Sequence, residues 1–167
     1  SSPLDWSVSF ECRAATLKRF DPLPYLLQLL LEVHGLRSQS GALYSVLAEL
    51  YTNALEHGVL GLDSGLKRDA TGFSEYYRER NSRLSHLEDG YVRLHLRVVP
   101  RGTGGQLSVR IEDSGEGFDV NRVMALSADD HELSGRGLDL VRKLSQHCHW
   151  SEDGRTACVE FSWGAQA

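Results

Sequence analysis

The segment Ala48 to Gly58, AELYTNALEHG, sets acid and amide side chains into a helix otherwise suited to burial. At 100° per residue Glu49 and Asn53 lie about 40° apart on the helix surface, and Glu56 falls about 20° from Glu49. The apolar stripe of Leu43, Val46, Leu47, Leu50 and Ala54 is centred about 100° further round, so the polar groups border the core. Such a border can form one wall of a polar pocket between helix and loop. Taken alone, Glu-x-x-x-Asn reads better as a solvated helix edge.

Two later segments change that balance. IEDSGEGFD (Ile111 to Asp119) is an Asp-x-Gly-x-Gly pattern at the end of an apolar-alternating run. Glycines there let the chain turn sharply and let a flat or charged ligand approach the main chain. Asp113, at the strand terminus, can accept a hydrogen bond from an exocyclic amine such as that of adenine. LSGRGLDLV (Leu133 to Val141) places Gly135 and Gly137 at the opening of a helix, where free backbone N–H groups form an anion site suited to phosphate. Each pattern by itself is an ordinary turn or helix start.

The elements that must position these groups are legible from periodicity. Four runs alternate strictly: Trp6-Val8-Phe10-Cys12, Val92-Leu94-Leu96-Val98, Leu107-Val109-Ile111 and Ala157-Val159-Phe161-Trp163. Period two predicts a sheet with one buried and one wet face, usually antiparallel. PRGTGGQ reads as a hairpin loop and EDGR as a tight turn. Helices are expected after Asp21-Pro22, from about Ser40 to Glu56, from near Thr71, and just after Gly137. Helices before strands, then loop, helix and strand, is α+β order. The fold expected is one two-layer sandwich over residues 1–167, a mostly antiparallel mixed sheet with helices on one face and an inserted helical excursion around 59–90.

Composition narrows the function. The 167 residues are 41% hydrophobic with a net charge of −5, which suits one domain with a core and lacks the basic footprint of a nucleic-acid binder. The longest apolar stretch, LPYLLQLLLEV, is too short for a bilayer and is broken by Gln28. The chain begins at Ser1 rather than methionine and is expected to be cut from something longer. Three cysteines, Cys12, Cys148 and Cys158, have no metal-type spacing and read as reduced thiols in cytoplasm. His147, Cys148 and His149 point alternate ways along a strand, and zinc is rejected for them.

The ordered set Glu-x-x-x-Asn, Asp-x-Gly-x-Gly and Gly-x-Gly at a helix start resembles the N, G1 and G2 boxes of the GHKL ATPase superfamily, from Ser40 to the final strand. The resemblance implies the Bergerat fold and Mg-ATP as ligand. Asn53 would coordinate Mg²⁺ between the phosphates, and Asp113 would bind the adenine amino group in a pocket shaped by Gly115 and Gly117. Gly135 and Gly137 would cradle phosphates, with Val120 to Ser134 as a lid. Arg136 is counted with the nucleotide set and can serve phosphate or a partner, although an exposed lid position is the reading favoured for it. Thr156 matches a threonine that in relatives reaches the adenine side through the last strand.

Glu49 separates the subfamilies. Histidine kinases usually carry asparagine there, whereas a glutamate is a candidate general base for a hydroxyl or water. ELYTNALEHG with DSGEGFD looks most like the anti-sigma serine kinase branch. That branch implies a cytoplasmic kinase that phosphorylates a serine on a small anti-sigma-factor antagonist. A sigma factor or anti-sigma factor would be a further partner, and relatives often dimerise through the sheet side. The alternatives are a nucleotide-gated binding module without kinase turnover and a histidine kinase catalytic domain. Leu133 stands where close relatives often have arginine. The excursion Val59 to Gly90 resembles an insert in ATPase modules that end longer signalling proteins. Its Tyr76, Tyr77 and Arg80 are expected to pack the helix down rather than form a docking face. His57 is expected to cap helix-end carbonyls or line the pocket, and Glu56 to be solvated or to reach the metal through water.

Overall fold

The computed structural model describes residues 5–63, 70–117 and 138–164. Chain order is β1 (Trp6–Arg13), a one-turn α1 (Ala14–Leu17), α2 (Leu23–Leu31), a 3₁₀ turn (Arg37–Gln39) and α3 (Ser40–Thr52). A π-helical segment (Asn53–Val59) and α4 (Ala70–Ser85) follow, then β2 (Tyr91–Arg101), β3 (Gly104–Asp113), α5 (Leu138–Leu144), β4 (His147–Trp150) and β5 (Thr156–Trp163).

The strands form one open sheet in the order β1-β2-β3-β5-β4. The expected sheet was mixed and mostly antiparallel; every pairing among the described residues is antiparallel. Registers such as Phe10 with Leu94 and Leu94 with Ile111 carry the alternating apolar positions onto one face. Val92, Leu94, Leu96, Val98, Leu107, Val109, Ile111, Val159 and Phe161 are buried there under the helices. A large side chain removed from water in this way contributes about 1.5–3 kcal/mol, so the sheet's inner face drives the fold. The period-two signal held because each strand has one covered and one wet face. The short β4 was not among the four alternating runs; four residues are too few to show a period.

The helices start close to where their signals put them. Asp21 Oδ1 accepts the Leu23 N–H at 3.0 Å, one position upstream of a regular N-cap, because Pro22 occupies that place. Leu26, Leu30 and Leu43 are sealed in the core, and α3 packs against both α2 and α5. The helix expected to run to Glu56 changes character at Asn53. There the turns widen, and the Leu60 N–H reaches the carbonyl five residues back, Leu55 O, at 2.8 Å.

On the outer face Arg93 donates to both Glu11 and Glu112 and lies 4.0 Å from the Tyr91 ring centroid. Its guanidinium, with that of Arg13, holds the Glu11 carboxyl below the usual range. These pairs are solvent-exposed and add little to stability. They account for the alternation of charge along the wet face. His147 and His149 stand opposite Glu160 and Cys158 on this face. Among the described residues, no group of three or more His, Cys, Asp and Glu side chains is arranged to hold a metal ion. No helix among them is long and apolar enough to cross a membrane.

Candidate nucleotide site

A pocket opens at the C-terminal end of β3, between the π segment and the β4–β5 turn. Its wall is Leu50, Asn53, Ala54, His57 and Gly58 on the helical side, with Ile111, Asp113 and Gly117 along β3 and its exit. Trp150, Gly154, Arg155 and Ala157 close the far side.

Asp113 continues the inward row Leu107, Val109 and Ile111, so the alternation that builds the core also buries this acid, at 7% exposure. Its main-chain N–H donates to Arg155 O at 3.0 Å, which ties the strand end to the β4–β5 turn. Its Oδ1 accepts the Gly115 N–H at 2.8 Å and closes an Asx turn. Next door, Ser114 N–H donates to Tyr91 O and Ser114 Oγ accepts the Tyr91 N–H, so the loop is pinned on both sides.

Asn53 lines the same pocket from the first residue of the π segment, and its Oδ1 is buried in that wall. Glu49 lies one helical turn earlier on α3, half-buried, outside the lining of the described pocket. The π segment presses directly on the β3 exit. A Cβ on Gly58 would stand 2.5 Å from Asp113 Cγ, and one on Gly115 would collide with Gly58 O. Gly117 has φ +84°, a conformation that glycine adopts without steric cost. The glycines thus serve as close approach at two positions and left-handed turn at a third.

Gly58→Ala is therefore expected to push the segment off Asp113. A loss of roughly 1–3 kcal/mol in stability should accompany a more than tenfold loss of nucleotide binding, read by thermal melting and ATP titration. An alanine variant that binds ATP normally would show that the close approach is not needed.

Two residues sit elsewhere than the sequence suggested. Thr156 pairs with Glu112 on β5, and it is the neighbouring Ala157 that is buried and lines the pocket. Strand alternation sends consecutive side chains to opposite faces, so an error of one position moves a residue across the sheet. Glu56 is neither solvated nor turned to the pocket. It is 7% exposed and accepts Tyr76 Oη–H at 2.5 Å and Arg80 Nε–H at 2.9 Å. The estimate that put Glu56 beside Glu49 assumed a uniform α-helix, and the π segment breaks that rotation. Burial, then the bond to Glu56, pushes the Tyr76 phenol well above its usual range and keeps it a donor.

Tyr76 and Arg80 pack α4 down as expected, whereas Phe73 and Tyr77 stay exposed and stacked. His57 lines the pocket, one of the two roles foreseen for it, while its Nδ1–H donates at 2.8 Å to Leu62 O, a carbonyl beyond the helical segment rather than one at its end. Gly135, Arg136, Gly137 and the expected lid lie outside the described residues. Gly58, Trp150 and Arg155 were not among the expected site residues, whereas the period-two run already set Ala157 on the buried face.

An acid at the end of a strand, an amide facing it from a helix, and glycines that open the main chain between them make a polar cleft for a flat, amine-bearing ligand. The chemistry of Asn53 fits a hydrated hard cation too, since its amide offers the neutral oxygen that such an ion accepts beside water and phosphate. A comparison with curated proteins gives no match. The family model described as histidine kinase-, DNA gyrase B- and HSP90-like ATPase matches residues 38–166, which include every element of this cleft. The chain belongs to that family and carries a GHKL-type ATPase domain.

Proposed function

We propose that this domain is a Mg-ATP-dependent protein serine kinase, acting in the cytoplasm on a serine of a small anti-sigma-factor antagonist. The observation that carries the reading is Glu49, half-buried one helical turn before Asn53, where Asn53 and Asp113 face one cleft. A carboxylate one helical turn from the metal-binding amide is a candidate to take the proton of an incoming hydroxyl.

In this reading Asp113 holds the adenine amino group, Gly115 and Gly117 shape the base pocket, and Gly135, Arg136 and Gly137 hold the phosphates. Asn53, with water and phosphate, would hold Mg²⁺, which would supply charge neutralisation at the transferring group. The serine Oγ bonds to the γ-phosphorus as the bond to the ADP oxygen breaks, and Glu49 accepts the hydroxyl proton. Modification of the antagonist then changes which partner a sigma factor or anti-sigma factor engages.

The test is transfer of labelled γ-phosphate from Mg-ATP into a lysate of the source cell. Label on the serine of one small protein supports the kinase. ATP binding with no transfer would favour the second reading, a nucleotide-gated binding module, and acid-labile phosphohistidine would point to a histidine kinase instead.

A further inference from the structure

The wide-turned segment Asn53–Val59 supplies Asn53, Ala54, His57 and Gly58 to the cleft, and its shape depends on a helix that never touches the cleft. Tyr76, Arg80 and Arg83 lie at i, i+4 and i+7 on one face of α4. Tyr76 and Arg80 take one oxygen each of the buried Glu56 carboxylate. Arg83 Nη1 donates to Leu60 O at 2.8 Å and to Gly61 O at 3.0 Å, at the segment's exit. The Tyr76 ring also lies 6.3 Å from that of His57. Middle and end of the segment are therefore gripped from outside. A buried carboxylate holds its place only while its partners do.

We infer that Tyr76, Arg80 and Arg83 are positioning residues for the nucleotide site: they clamp Glu56 and the Leu60 and Gly61 carbonyls, and so keep Asn53, His57 and Gly58 on the cleft wall. None of the three lines that wall. The inference rests on the cleft being the ATP site. It gives the excursion helix a task beyond covering the core, since anything that displaces α4 also lowers the fraction of molecules able to bind nucleotide. Apparent affinity falls by that fraction.

The experiment measures Mg-ATP affinity by calorimetry and amide exchange by mass spectrometry on the same proteins. Tyr76→Phe keeps the ring and removes one donor, Arg80→Ala removes the other, and Arg80→Lys restores a cation. We expect ATP affinity to fall about fivefold in Tyr76→Phe and about tenfold or more in Arg80→Ala, with partial recovery in Arg80→Lys. Exchange should quicken in residues 53–62 while β2 and β3 stay protected. In a Glu56→Gln background Arg80→Ala should add little, because both act through one contact.

Affinities within twofold of the unaltered chain, or exchange that rises evenly through the sheet, would overturn the clamp and leave α4 as structural cover. If the unaltered chain binds no ATP, the reading of the cleft fails first and this inference falls with it.

Discussion

Asp113→Asn is expected to weaken ATP binding by about two orders of magnitude while the domain stays folded. The substitution conserves volume at a buried position and keeps an oxygen for the Gly115 N–H, now held at 2.8 Å by Oδ1. The Asx turn and the tie from Asp113 N–H to Arg155 O should therefore survive. What changes is the outward group, from an acceptor carrying charge to an NH₂ donor. Against the adenine amine this sets donor against donor. A bond to a charged group, worth about 1.5–3 kcal/mol, is lost and two donors are left unmet. A 6-oxo purine nucleotide presents an acceptor at the same place, so the variant should lose far less affinity for inosine triphosphate than for ATP. Parallel titrations with both nucleotides check this. Equal losses would show that Asp113 acts on the loop and not on the base, and unchanged ATP affinity would remove it from the site.

Glu49→Gln should give the second large effect, and of the opposite kind: turnover down by roughly 10²–10⁴-fold, with ATP affinity within about twofold. Glu49 lies outside the lining of the described cleft, and the ground-state complex is therefore expected not to depend on it. A glutamine of the same size keeps the helix and cannot accept the proton. Single-turnover transfer, with binding measured separately, distinguishes the two quantities. A drop in affinity equal to the drop in rate would make Glu49 a binding residue and favour the switchable binder. The contrast between the two variants, one losing binding and the other losing chemistry, is the signature expected of an enzyme rather than a binding module.

The clamp on Glu56 adds a structural reason for the excursion between the π segment and β2. A π-helical turn is rarely favoured by its own hydrogen bonds and often occurs at functional sites. Here Gly58, within that turn, lies close against Asp113, and α4 is bonded to the same segment through Glu56 and Leu60.

Much of this was legible in the residues themselves. Alternation assigned Val92 to Val98 and Leu107 to Ile111 to a half-buried sheet because strand side chains repeat every two residues, and burial enforces that repeat. The same repeat carried Asp113 to the inner face, so its place in the cleft followed from counting. Helical spacing likewise put Glu49 and Asn53 on neighbouring turns of α3. These are local periodic facts, and a sequence states them directly.

Tertiary structure decided the rest. No local pattern marks where α3 widens into the π segment, since Asn53–Val59 is held in that form by Tyr76, Arg80 and Arg83 from about twenty residues away. That contact turned Glu56 from a solvated edge into a buried carboxylate, and it brought Gly58 against the strand exit. Alternation had already set Ala157 with Val159 and Phe161 on the buried face; the register of β5 against β3, a long-range pairing, is what put it opposite Ile111 at the cleft. Periodicity belongs to one element and can be read from it. The width of a turn and the register of a distant strand are set by what packs against them.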